Sequence, residues 1–183
     1  MSARPRQGEQ GFTLIELMIS LGLFALIAVA GLALVQGIIN VQGRTEKRLD
    51  RLAELQRTMF VVSSDLDQIA QGQISGDAQN GLKFTRAAPG FGGPPVEVRY
   101  LVAGGTLVRQ AGELPQQLLA GVTVARWRFW DGAWGDRWPV KKEDADRWPR
   151  AIELEMQVAT PPGGGPSGTL RRVIVLPAQV SAT

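Results

Sequence analysis

The chain has 183 residues, 44% hydrophobic and 20% charged, with a formal net charge of +3. That length fits one domain plus an anchor better than two domains. A charge this small, with no basic stripe interleaved with aromatics, argues against nucleic acid as a partner. Cysteine and histidine are both absent, which excludes disulfides, thiolate zinc sites and a cysteine nucleophile, and removes the usual general base and the commonest metal ligand.

The first eleven residues, MSARPRQGEQG, are polar and carry Arg4 and Arg6. Losing them removes two arginines and Glu9 and leaves a net charge of +2. An apolar run then starts abruptly at Phe12. From Phe12 to Val35, 24 residues, the only charge is Glu16, and a helix of that length spans a hydrocarbon core of roughly 30 Å. A secretory signal is cut after its apolar run. Here the Gly11–Phe12 junction precedes the run, so a cut at Gly11 leaves the apolar segment in the mature chain. The basic leader favours a cytoplasmic N-terminus and an external C-terminal domain. Arg44, Lys47 and Arg48 on the far side oppose that bias, and the shortness of the leader outweighs them.

Glu16 is the informative residue of this segment. A carboxylate near a bilayer centre costs about 2.5–3.5 kcal/mol on insertion scales, and less near the interface. Two readings stand side by side. Either Glu16 pairs with a cation, such as a free amine at Phe12 of a neighbouring subunit, or it is an interfacial glutamate without a partner.

Beyond the glycines at Gly37 and Gly43, apolar residues recur at Leu49, Leu52, Leu55, Met59, Val62, Leu66 and Ile69. Spacings of three and four predict one stripe on a helix, which ends near Gln71 at Gly72. The stripe serves either a partner helix or, as the better reading, the chain's own sheet. The period then changes to two. Leu82–Arg86 reads as a strand. Val96–Val102 and Thr106–Gln110 read as a hairpin around Gly104-Gly105. Val122–Trp130 places Ala125, Trp127 and Phe129 on one side. Ile152, Leu154, Met156 and Val158 alternate with Glu153, Glu155 and Gln157 as a half-buried strand. Leu170–Leu176 is the last strand. A long helix followed by antiparallel strands is an α+β order.

All five tryptophans fall between Trp127 and Trp148, around two copies of Asp-Arg-Trp-Pro at residues 136–139 and 146–149. Trp130, Trp134, Trp138 and Trp148 form either a partner-contact surface, since Trp and Arg are enriched at binding hot spots, or a satellite core under a long loop. Glu143, Asp144 and Asp146 match no calcium-loop spacing, and Lys141 and Lys142 oppose a cation. Gly163-Gly164-Gly165 lacks the context and the Lys-Ser/Thr of a phosphate loop. No metal, cofactor or small-molecule substrate is expected, and the chain does not read as an enzyme.

Gly11-Phe12-Thr13-Leu14-Ile15-Glu16 resembles the processing and methylation motif of type IV pilins and type II secretion pseudopilins. The resemblance implies a prepilin peptidase/methyltransferase that cuts after Gly11 and methylates Phe12, with Glu16 as the assembly carboxylate. It also implies the pilin architecture, one long helix packed on an antiparallel sheet. The expected segments are a leader at 1–11, a transmembrane and polymerisation helix at 12–39, an amphipathic helix at 40–71 and a periplasmic β-rich domain at 72–183.

Glu46–Gln71, Val96–Arg109, Leu118–Trp130, Trp148–Leu154 and Leu170–Pro177 resemble the J-type minor pseudopilin of type II secretion systems. That resemblance implies a single-pass inner-membrane protein at the pseudopilus tip. Its implied partners are the I-type and K-type minor pseudopilins, with the H-type as a further candidate, and the major pseudopilin. The complex starts pseudopilus assembly for export of folded proteins across the outer membrane. A minor pilin of a type IV pilus or DNA-uptake fibre is the alternative, and a membrane-anchored enzyme or binding domain a distant one.

Overall fold

The computed structural model describes residues 12–78, 80–88, 92–161 and 164–179, so Gly11 lies outside the described residues. The chain divides into two compact units, Met1–Thr45 and Glu46–Thr183. A single helix, α1 (Leu14–Asp67), supplies the described secondary structure of the first unit and the opening of the second.

In the first unit every described side chain from Phe12 to Gln42 is exposed. Apolar residues lie all round the helix, the pattern of a segment whose surroundings are themselves apolar.

In the second unit one face of α1 is buried, through Arg51, Leu55, Thr58, Val62, Asp65 and Leu66. Leu49 and Leu52, expected in the buried stripe, are instead 60% and 39% exposed. At 3.6 residues per turn they sit about 90° or more from the centre of the buried arc. The helix stops at Asp67, short of the expected Gln71, because the next residues are drawn onto a strand edge. Ala70 N–H donates to Thr85 O and Ala87 N–H to Gln68 O, both at 2.9 Å.

Among the described residues nine strands follow: β1 (Ser75–Asp77), β2 (Gly81–Arg86), β3 (Val96–Ala103), β4 (Thr106–Ala111), β5 (Pro115–Ala120), β6 (Val122–Trp130), β7 (Trp134–Gly135), β8 (Ala151–Val158) and β9 (Gly168–Val175). They form two antiparallel sheets, in the orders β1-β2-β3-β4-β5 and β7-β6-β8-β9, which together with α1 give the expected α+β architecture of a long helix and an antiparallel β domain. The break falls at Gly121, whose positive φ turns the chain out of β5. Val122 N–H then donates to Gly105 O, and β6 pairs with β8 instead of β5. The β3–β4 hairpin turns on Gly104 and Gly105, with φ of 56° and 72°, the positive values that a two-residue turn requires for strands of right-handed twist.

The core lies between α1 and the inner faces of both sheets. Trp127 of β6 lies 5.7 Å from the Tyr100 ring of β3, and Leu66, Phe84, Phe129, Leu154 and Met156 fill the space around them. Burying such side chains stabilises by about 1.5–3 kcal/mol each. Gly81 is fixed by the same packing: a Cβ there would stand 1.9 Å from Tyr100 O, at a φ of +76°. The alternation expected in β8 holds for Ile152, Leu154, Met156 and Val158, but Glu153 is as buried as they are. Arg128 and Arg171 of the neighbouring strands fold over its carboxylate.

Candidate functional site

The N-terminal motif opens the helix. Thr13 precedes α1, and its Oγ1 accepts the Glu16 N–H at 3.4 Å while its hydroxyl reaches Glu16 Oε2 at 3.4 Å. Thr13-x-x-Glu16 is therefore a capping-box spacing, which places the carboxylate beside the unpaired N–H groups of the first turn. That signal stands in the sequence and complements the reading of Glu16 as an assembly residue. Among the described residues no cation pairs with Glu16. Phe12 is 82% exposed. The apolar window of α1 has mean hydropathy 2.6 with none of it buried, so the helix is long and apolar enough to cross a membrane.

The tryptophans separate into two groups. Trp138 is 4% exposed and belongs to the core, which withdraws it as a partner contact. Its backbone pairs with Gly76 in both directions at 2.9 Å, and its indole N–H donates to Arg147 O at 3.1 Å. The two Asp-Arg-Trp-Pro copies are thus tied to each other. Trp148 is half-buried, and its indole N–H donates to Gly72 O at 2.9 Å. Trp130 and Trp134 are also half-buried, as a tilted pair 5.3 Å apart, with the Arg128 guanidinium 5.4 Å from the Trp134 ring. Cross-strand pairing sets them in one row, Trp134–Trp130–Ala151–Val175, across the four-stranded sheet.

Two buried carboxylates were not anticipated from the sequence. Asp65, 2% exposed, accepts from Arg86 Nη1 at 2.5 Å, Arg109 Nε at 2.5 Å and Nη2 at 2.9 Å, and the Tyr100 hydroxyl at 2.6 Å. One carboxylate thereby ties α1 to β2, β3 and β4. Burial first, and then the Asp65 charge, push the Tyr100 hydroxyl well above the usual tyrosine range. Hydrogen bonding to Asp65 raises Arg109 further. Thr58 and Arg51 lie seven and fourteen residues before Asp65 on the same face. They donate to Leu118 O at 3.1 Å and Ala120 O at 2.8 Å of β5, an outer strand of its sheet. Such side chains satisfy carbonyls that an edge strand would otherwise leave open. The signal available was the seven-residue recurrence of polar residues beside the apolar stripe.

Among the described residues no group of three or more acidic, histidine or cysteine side chains is placed to hold a metal. The cleft beside Trp138, lined by Asp77, Asp136, Val140 and Lys141 among others, brings opposite charges together without a nucleophile–base pair.

Two family profiles match the chain. "Prokaryotic N-terminal methylation motif" covers residues 6–32, and "Type II secretion system (T2SS), protein J" covers residues 33–162. The type II secretion system protein J of Vibrio cholerae serotype O1 is 34% identical over 74 residues, 40% of this chain and 34% of that protein. The protein of the same name from Escherichia coli K12 is 31% identical over 61 residues, 33% of this chain and 31% of that protein. The matches thus span about a third of the length of these curated relatives. The crystal structure of the GspK-GspI-GspJ complex from the enterotoxigenic Escherichia coli type 2 secretion system contains a chain of similar fold. Its TM-score is 0.54 at 20% identity, covering 71% of this chain and 99% of that one. The helix, the two antiparallel sheets and a profile match over most of the sequence lead to one assignment: this chain belongs to the type II secretion system protein J family, a family of structural pseudopilins.

Proposed function

We propose that the protein is a minor pseudopilin of a type II secretion system, acting at the pseudopilus tip with the I-type and K-type minor pseudopilins to start assembly. The observation that carries this reading is the adjacency of two features. A processing motif stands directly before an apolar helix with no protein cover, and the chain that follows matches the J family. A prepilin peptidase cuts after Gly11 and methylates Phe12. The apolar segment holds the chain in the inner membrane with the β domain in the periplasm, and then in the fibre. Within that fibre Glu16 pairs with an N-terminal amine; among the described residues its carboxylate has only the Thr13 hydroxyl as a local partner. The chain works by binding other subunits and not by turnover.

Deletion of the gene followed by complementation tests this. Secretion of folded proteins across the outer membrane should stop in the deletion strain and return with the full chain. Intact secretion together with loss of surface pili or DNA uptake would assign it to a different fibre.

A further inference from the structure

Among the described residues the two sheets have four edges, and three of them are engaged or short. The backbone of β1 pairs with Trp138 at Gly76, Arg51 and Thr58 bond carbonyls of β5, and β7 is two residues long. The fourth edge is β9, eight residues long and paired with β8 alone. Leu176 N–H donates to Arg150 O at 3.0 Å, in register with the β8–β9 ladder. Partners in such a ladder alternate between bonded and non-bonded pairs, and both main-chain groups of a residue turn to the same side. The even-numbered residues of β9 therefore face β8. Thr169, Arg171, Val173 and Val175 turn their N–H and C=O groups to the open edge, where among the described residues nothing bonds them.

An open strand of this length invites another strand, and its side chains narrow the choice. Arg171 is held by Glu153, its Nε donating to Oε2 at 2.7 Å. Arg172 is exposed, and among the described residues no carboxylate pairs with it. It lies between Leu170 and Ile174 on the face that otherwise turns to the core. A second copy of β9 fits this edge badly. The two antiparallel registers that use most of the strand centre on Arg171 or on Arg172, and each sets like charges directly opposite one another, which destabilises a cross-strand pair. A strand with a carboxylate at that place meets an unpaired guanidinium instead, and gains a charge-assisted hydrogen bond.

We propose that the open edge of β9 is a docking site for an extended acidic segment of a different protein, which adds a fifth strand to the four-stranded sheet and sets an Asp or Glu opposite Arg172. Main-chain hydrogen bonds from Thr169, Arg171, Val173 and Val175 supply the affinity, and Arg172 selects the charge of the partner. The site is built wholly within the second unit and goes beyond the pseudopilin reading without depending on it. Arg172 has two effects at this edge: it disfavours pairing between copies of the chain, and it favours an acidic partner.

The test places a photo-crosslinking phenylalanine analogue at position 175 of the full chain in its host, where the native valine is 74% exposed. Position 124, exposed on β6 inside the same sheet, is the control. The expected result is an adduct from 175 and not from 124, mapping to an extended segment of another protein that carries Asp or Glu. Val173→Pro removes one open N–H and leaves the bonds to β8 in place, and Arg172→Glu reverses the selecting charge. Each should lower the adduct roughly tenfold or more without changing the melting temperature. Replacing the acidic residue of the captured segment by Arg should restore the adduct with Arg172→Glu. No adduct at 175, equal adducts at 175 and 124, or an adduct with a second copy of this chain would overturn the proposal. So would an adduct to a helix or to a segment without a carboxylate, an adduct that survives either substitution, or a charge swap that restores nothing.

Discussion

The two stretches of α1 share a backbone and little else. Residues 14–45 expose their apolar side chains in every direction, so they need an environment made by lipid or by other subunits. Residues 46–67 bury one face and meet their partner within the same chain. The contrast extends to their carboxylates. Among the described residues the Glu16 carboxylate has only a threonine hydroxyl at 3.4 Å, whereas Asp65 accepts from two arginines and a tyrosine. A carboxylate satisfied inside its own fold serves stability, and the proposed role of Glu16 lies in assembly, so substitutions at the two positions should fail in different ways.

The largest expected effect belongs to the first stretch. Gly11→Ala should block processing entirely and leave the longer precursor, seen as reduced mobility on a gel; normal-sized protein from this variant would remove the cleavage assignment. Glu16→Val should insert in the membrane and fold normally, yet enter the fibre poorly, as measured by cross-linked assemblies and secretion. Unchanged assembly would make Glu16 a helix cap and nothing more.

In the second stretch the expected defect is one of folding. Asp65→Asn leaves two largely buried guanidinium groups without their counter-charge and should cost about 3 kcal/mol in denaturant unfolding. Asp67→Asn, two residues on and exposed, should change stability by less than about 0.5 kcal/mol. Equal effects at 65 and 67 would mean that the buried Asp65 network does not hold the helix to the sheet. Glu153→Gln should cost less than Asp65→Asn, about 1.5 kcal/mol, because Arg171 is 56% exposed and can turn to water.

The smallest effect is one of pH. Tyr100 is the only tyrosine, so absorbance of ionised tyrosine reports it alone. Its pKa is raised by burial and by Asp65, so the unfolded chain loses this proton first as pH rises. The contribution to stability is therefore complete below the ordinary value of 10.0 and is lost above it. The native protein should show no tyrosine ionisation near pH 10, and the signal should appear only as the chain unfolds. Ionisation near pH 10 in folded protein would mean that Tyr100 is not enclosed with Asp65.

Most of the fold was legible because its periods are clear. The apolar run, the stripe through Leu55, Val62 and Leu66, and the alternation in β3, β6 and β8 all carry local signals. β5 was missed because Pro115-Gln116-Gln117 carries no strand pattern, and its place is set by β4 and by Thr58 and Arg51 of the helix. β1 and β7 are too short to show a period. The division into two sheets depends on which strands find each other, which no local pattern encodes. The candidate site divides in the same way. Glu16 stands out because it is the one charge in an apolar run. Asp65 and Glu153 do not, since a carboxylate beside apolar neighbours looks solvent-facing until the arginines from distant strands are in place. The tryptophan-rich loop offered two readings. The fold puts Trp138 in the core and leaves Trp130 and Trp134 half-buried.

Affinity purification of the full chain from host membranes in mild detergent, with mass analysis of everything recovered, should yield a chain that begins at methylated Phe12 and is accompanied by the I-type and K-type minor pseudopilins. A chain that still begins at Met1, or one recovered with surface-pilus subunits in their place, would contradict the pseudopilin reading.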